Sequence, residues 1–187
     1  MKRILLASAA IVALGAAGGA WADQQAISEV TLQATSPNVC NITQPADPGV
    51  ADVNFTAGAG FDLTLDLTNL IDTDTANIST TQIVLTYPGY CNYVHNFSIA
   101  SLNTGIQGPA PVTGFDNVIH YVATAEWSAR TNTATFNTAA PASSDSVIGE
   151  PANPSGFEVT LDVAANTSPL LAGAYLDTLT VTIGTTP

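Results

Sequence analysis

The side chains that could do chemistry in this sequence are few. His95 and His120 are the two histidines, and a general base needs a proton donor or nucleophile within reach. They fall in different apolar segments, and His120 lies inside VIHYVA (118–123), where a partly buried structural imidazole is the simpler reading. Serine is abundant, yet no G-x-S-x-G turn presents one as a nucleophile. Cys40 and Cys91, the two cysteines, read as a disulfide in an exported chain, which withdraws them from nucleophilic work. The pair lacks the companion Cys and His ligands that a zinc site takes at short spacing. The run DTDTAN (72–77) offers oxygens to calcium, but it has neither the turn glycine nor the bidentate acid of an EF-hand loop, so it reads as a solvated acidic turn. The expectation is a chain that is not an enzyme and uses no cofactor or metal.

The first residues, MKRILLASAAIVALGAAGGAWADQQ, have a basic start, an apolar run and small residues ending in Ala20-Trp21-Ala22. That is the pattern of a secretion signal over 1–22, cut before Asp23. The apolar run is too short and too rich in Gly and Ala for a comfortable membrane span, so no direct membrane insertion is expected. Without Lys2 and Arg3, Arg130 is the one fixed cation against all 15 acidic residues, a net charge of −14. Such a surface repels phosphate backbones, which excludes nucleic acid as a partner. The acids are scattered among Thr, Asn and Ala without forming a block, so the acidity reads as solubility.

The elements that must position these residues read as strands. No segment carries a capped apolar stripe of helical period, and alternation is expected over 26–34, 51–58, 61–70, 81–87, 96–102, 117–125, 134–138 and 156–164. NTGIQGPAPVTG and AAPASSDSVIGEPANPSG read as turn-rich connections. In the closing stretch LLAGAYLDTLTVTIG, Tyr175, Asp177, Leu179, Val181 and Ile183 alternate with Leu176, Thr178, Thr180 and Thr182, the period of a half-buried strand, with Gly173 as a turn before it. Short strands joined by Gly/Pro loops indicate one antiparallel sandwich or barrel.

The order of these features resembles the spore coat U domain family, the subunits of archaic chaperone-usher pili. An alternating segment ends at a cysteine in AISEVTLQATSPNVCNIT, followed by VNFTAG. Then come IVLTYPGYCNYVHNFSIASLNTG around the second cysteine, VIHYVATAEWSARTNTATF, and FEVTLDVAANTSPLLAGAYLDTLTVTIG. The family's ending, G-x-Y-x-D followed by alternating apolar residues, matches Gly173, Tyr175, Asp177, Leu179, Val181 and Ile183. The resemblance implies an all-β, immunoglobulin-like antiparallel sandwich that is incomplete and completed by a donated strand. It implies a pilin domain over 37–187 and an N-terminal extension over 23–36 that serves as donor strand. It also implies a periplasmic chaperone, an outer-membrane usher and other pilus subunits as partners, export to the periplasm and then the cell surface, and roles in adhesion and biofilm formation.

Within the extension, Ala26, Ser28, Val30, Leu32 and Ala34 share one face, with Val30 and Leu32 as plugs for pockets in an acceptor. The donor strand would lie beside the closing strand, along Tyr175, Leu179, Val181 and Ile183. Period alone does not say whose sheet the segment joins, so an ordinary first strand of its own domain stays open. The alternative function is a self-complete secreted sandwich that binds a glycan through Trp127, Tyr87, Tyr90 and Tyr93. Such aromatics serve more often in core or edge packing.

Overall fold

A computed structural model of the 187-residue chain describes residues 31–128 and 131–184. The chain divides into two units, Met1–Thr35 and Ser36–Pro187, and the elements below belong to the second. The strands in chain order are β1 (Cys40–Ile42), β2 (Asn54–Ala57), β3 (Leu63–Asp66), β4 (Thr81–Tyr87) and β5 (Gly89–Cys91). They continue as β6 (His95–Ser101), β7 (Ile106–Gln107), β8 (Val118–Ile119) and β9 (Tyr121–Trp127). The last are β10 (Thr133–Asn137), β11 (Ser144–Glu150), β12 (Phe157–Val163) and β13 (Leu179–Gly184).

Two antiparallel sheets form the sandwich: β10-β9-β12-β4 and β11-β6-β13. Alternation decides which way each strand faces. In β6, His95, Phe97, Ile99 and Ser101 are buried and the residues between them are not; in β9, Tyr121, Ala123, Ala125 and Trp127 are buried in the same manner. The inner faces meet through edge-on aromatic rings. Phe97 and Phe157 have centroids 5.2 Å apart, Trp127 and Phe157 5.3 Å, and His95 and Trp127 5.0 Å. Burying an aromatic or aliphatic side chain of this size stabilises by about 1.5–3 kcal/mol, and the edge-to-face contacts add about 0.5–1.5 kcal/mol each.

An immunoglobulin sandwich of constant type places strands A, B, E and D in one sheet and C, F and G in the other. Here β4, β12 and β9 lie side by side as B, E and D do, and β6 and β13 as C and F. Among the described residues nothing takes the place of G beside β13, and nothing takes that of A beside β4: β1 pairs with β5, and β2 with β3. Tyr175, in the connection before β13, shares its hydroxyl proton between the carbonyl oxygens of Leu171, four residues back at 2.9 Å, and of Asp116 at 3.1 Å. That is the tyrosine corner of the E–F turn.

Several expected strands are shorter than their alternation. The segment 61–70 is strand only over Leu63–Asp66, because the Asp66 carboxylate accepts hydrogen bonds from the Thr68 amide (2.9 Å) and hydroxyl (2.6 Å) and turns the chain into the 3-10 segment Thr68–Leu70. The segment 117–125 breaks at His120 into β8 and β9. The closing strand starts at Leu179, so Tyr175 belongs to the loop and not to the strand; Asp177 ends the loop by accepting from the Thr178 and Asn103 amides. β11 runs through a stretch expected to be turns, and so does β7. Of the expected strand 26–34, residues 26–30 lie outside the described residues, and 31–34 form no strand.

Candidate functional site

A groove of about 1210 Å³ opens along the sandwich where β13 ends its sheet. Its lining includes Leu161 of β12, which is half-buried, and behind it Ile83 and Leu85 of β4 and Val159 of β12, which are already buried. One wall is β13, whose Leu179, Val181 and Ile183 are half-buried while the partners they meet in β6, Ile99 and Phe97 among them, are buried. Leu63 and Leu65 of β3 also line the groove. Cys40 to Ile42 line it too, as does Tyr175 of the loop.

The β13 wall is a strand edge. Among the described residues β13 pairs on one side only, with β6, and β3 on one side only, with β2. A strand laid along β13 would therefore meet the free backbone edge of that strand and the half-buried Leu161, Leu179, Val181 and Ile183. Unpaired buried amides and carbonyls are costly, and an exposed apolar edge is a template for another strand.

The expected acceptor residues are brought together in part. Leu179, Val181 and Ile183 form the wall, whereas Tyr175 is fixed in the tyrosine corner and lines the groove from the loop. Of the expected donor residues, Ala26, Ser28 and Val30 lie outside the described residues. Leu32 and Ala34 are exposed, Leu32 at 89 %.

The disulfide between Cys40 and Cys91 is present and clasps β1 to β5 in register. The fold brings His95 to it, with ligand atoms of the three residues within 4.8 Å of one another, a proximity not expected from the sequence. Both sulfurs are bonded to each other, which leaves the imidazole as one ligand. It is fully buried, with Nδ1 held 2.9 Å from the Tyr93 carbonyl oxygen. His120 has Nδ1 3.3 Å from the Thr138 hydroxyl. The nearby Asp116 carboxylate already accepts from the Thr167 and Ser168 amides. The Thr138 hydroxyl beside His120 is itself tied to the backbone, accepting from the Tyr121 amide at 2.9 Å and donating to the Tyr121 carbonyl oxygen at 3.1 Å.

Asp72 of DTDTAN accepts from the Thr75 amide (2.7 Å), the Thr75 hydroxyl (2.9 Å) and the Asp74 amide (2.9 Å). These bonds, the Thr75 amide first, hold its carboxyl below the usual range and close an acidic turn. Of the aromatics considered for stacking, Trp127 is fully buried against Phe157, Tyr87 is half-buried against the same ring, and Tyr90 is 41 % exposed. Trp127 is out of reach of a ligand.

A polar clasp joins the sheets at one end of the groove. The Tyr121 phenol donates to Asp177 Oδ2 across 2.6 Å, and the Ser101 hydroxyl donates to the same oxygen at 2.6 Å. Burial first, then the hydrogen bond to the carboxylate, pushes the Tyr121 phenol well above its ordinary value.

No family model, no curated protein and no solved structure matches the chain.

Proposed function

We propose that this chain is a structural subunit of a surface pilus, joined head to tail by strands donated between neighbours, as its resemblance to the spore coat U domain family implies. The observation that carries the reading is the groove along β13, which lies where an immunoglobulin sandwich would hold strand G. The occupant is the 23–36 extension of a neighbouring subunit, with Ala26, Ser28, Val30, Leu32 and Ala34 facing the apolar lining. Main-chain pairing gives such a joint affinity, and the alternate side chains give it register. Before assembly a periplasmic chaperone fills the groove, and an outer-membrane usher passes the subunit to the surface.

Fibres collected from expressing cells test this. A joint paired along a whole strand dissociates slowly, so unboiled material should run on a denaturing gel as a ladder that collapses to one band on boiling. A single monomer band under both conditions sinks the proposal and leaves a self-complete sandwich.

A further inference from the structure

The two outer faces of the sandwich differ in charge. On the outside of β10-β9-β12-β4, Glu126 and Glu158 lie directly opposite each other, and Asp162 is two outward-facing pairs further along, beyond Thr160 and Thr124. Like charges placed so are destabilising. The outside of β11-β6-β13 carries no carboxylate among its paired residues. One row across it is Ser146, Ser98 and Thr182, and the next is Ser144, Ala100 and Thr180. Ser98 and Ala100 alternate with the buried Phe97, Ile99 and Ser101, and the Ser and Thr residues on either side are exposed. Asp145, the one acid of the exposed part of β11, pairs with inward-facing Ile99 and reaches back to the Thr135 amide at 2.8 Å. Beside these small side chains stand two exposed large apolar residues, Leu102 two positions past Ala100 (74 % exposed) and Ile148 in the β11 bulge (78 %).

We infer that this face is a self-association surface that packs against the same face of a second copy. The partner follows from charge. Residues 23–187 carry a net charge of −14, with Arg130 as their one fixed cation, so two copies repel wherever carboxylates meet. A face of small hydroxyl and methyl groups lets two like-charged copies approach closely, and because it is the same patch on both, the contact is isologous.

Size sets the consequence. Three strands about 4.8 Å apart and six residues of about 3.3 Å each cover on the order of 300 Å², against about 800 Å² per partner in a stable standard interface. One pair of subunits therefore does not dimerise; a row of subunits does, because each contact raises the effective concentration for the next. Resting on the fibre reading, the face gives lateral bundling of fibres. A seated donor strand widens it by Ile27, Glu29, Thr31 and Gln33, so that each joint adds one carboxylate at the margin of the face.

The test compares wild type with Ser146→Asp and Thr180→Asp, both exposed positions, and with Val84→Asp, an exposed position of the other sheet paired with uncharged Thr160, as control. Heat-sensitive ladders report fibre assembly; electron microscopy and light scattering report bundling. The expected result is a ladder from all four, bundles from wild type and Val84→Asp, and single fibres from the two face variants. Wild-type fibres that stay single, face variants that still bundle, or a control that unbundles equally would overturn the inference. If no wild-type ladder forms, the fibre reading has failed on its own. The face is then tested on beads densely coated with a chain that carries a second copy of residues 23–36 behind Pro187. Clumping of wild-type beads and dispersal of Ser146→Asp beads support the face, and dispersed wild-type beads overturn it.

Discussion

Tyr121 and Asp177 are joined by a 2.6 Å hydrogen bond that ties β9 of one sheet to the residue that leads into β13 of the other. Asp177 also accepts from the Ser101 hydroxyl and from the Asn103 and Thr178 amides. Asp177→Ala strands several of these donors at once. A lost hydrogen bond to a charged group costs about 1.5–3 kcal/mol, so a loss of about 3 kcal/mol is expected in denaturant unfolding of the strand-complemented protein. A loss below about 1 kcal/mol would show that the clasp is not what positions β13.

The same phenol gives an alkaline signature. Its folded-state pKa is raised, by burial first and then by the hydrogen bond to Asp177. A raised pKa contributes stability that is complete below the unfolded value, near pH 10, and is lost as pH climbs toward the folded value. Stability measured from about pH 9 to 12 should therefore fall more steeply for wild type than for Tyr121→Phe, which has no proton to lose there. Parallel curves would remove Tyr121 from the account.

Gly108 tests the corner from the other side. A Cβ placed there would run into the Tyr175 ring, whose hydroxyl is bonded to Leu171 and Asp116. Gly108→Ala must push the ring away or break those bonds, and overpacking of this kind costs about 1–3 kcal/mol. A thermal melt should show the loss, and Tyr175→Phe should show a smaller one because the ring keeps its place.

What the sequence disclosed and what it hid divide along a physical line. The alternation that marks β4, β6, β9 and β12 is a local property, and those strands lie where it predicts them, within a residue or two at most ends. Cys40 and Cys91 were legible because an even pair leaves one pairing. Residues whose conformation depends on a distant partner were not legible. Tyr175 has the right spacing for a strand, but its hydroxyl is captured by Asp116, far away in sequence. β11 is a strand because β6 pairs with it, although Ser144 to Glu150 carry little apolar alternation. Leu63, Leu65, Ile83 and Leu161 were visible as apolar strand positions. That they line a groove follows from strand order, which no residue encodes by itself.

The Cys40–Cys91 bond spans 51 residues and holds β1, one boundary of the groove, against β5. Closing a loop of that length stabilises by about 4 kcal/mol on the chain-entropy model. Replacing both cysteines by alanine should lower the unfolding free energy of the strand-complemented protein by about that amount, and should also slow strand acceptance, since β1 is no longer pinned. A double variant that melts like wild type would show the clasp to be dispensable.

The last expectation separates giving a strand from receiving one. Residues 23–36 precede Cys40 and so lie outside the loop that the disulfide closes, while the groove is built from residues 40–183. Deleting 23–36 should leave a subunit that accepts a strand but gives none, and Val30→Asp or Leu32→Asp should act alike, because a carboxylate forced into an apolar site costs several kcal/mol. Val181→Asp places the same charge on the groove wall and should do the reverse, leaving a subunit that can donate but not accept. Mixing decides the matter. Neither the deletion nor Val181→Asp should form fibres alone, yet together they should form a joint in which the Val181→Asp extension fills the groove of the deleted chain. Heat-sensitive dimers from the mixture, absent from each component, are the expected result. Fibres from either variant alone, or no dimer from the pair when both are recovered folded with a chaperone, would mean that the extension and the groove are not partners.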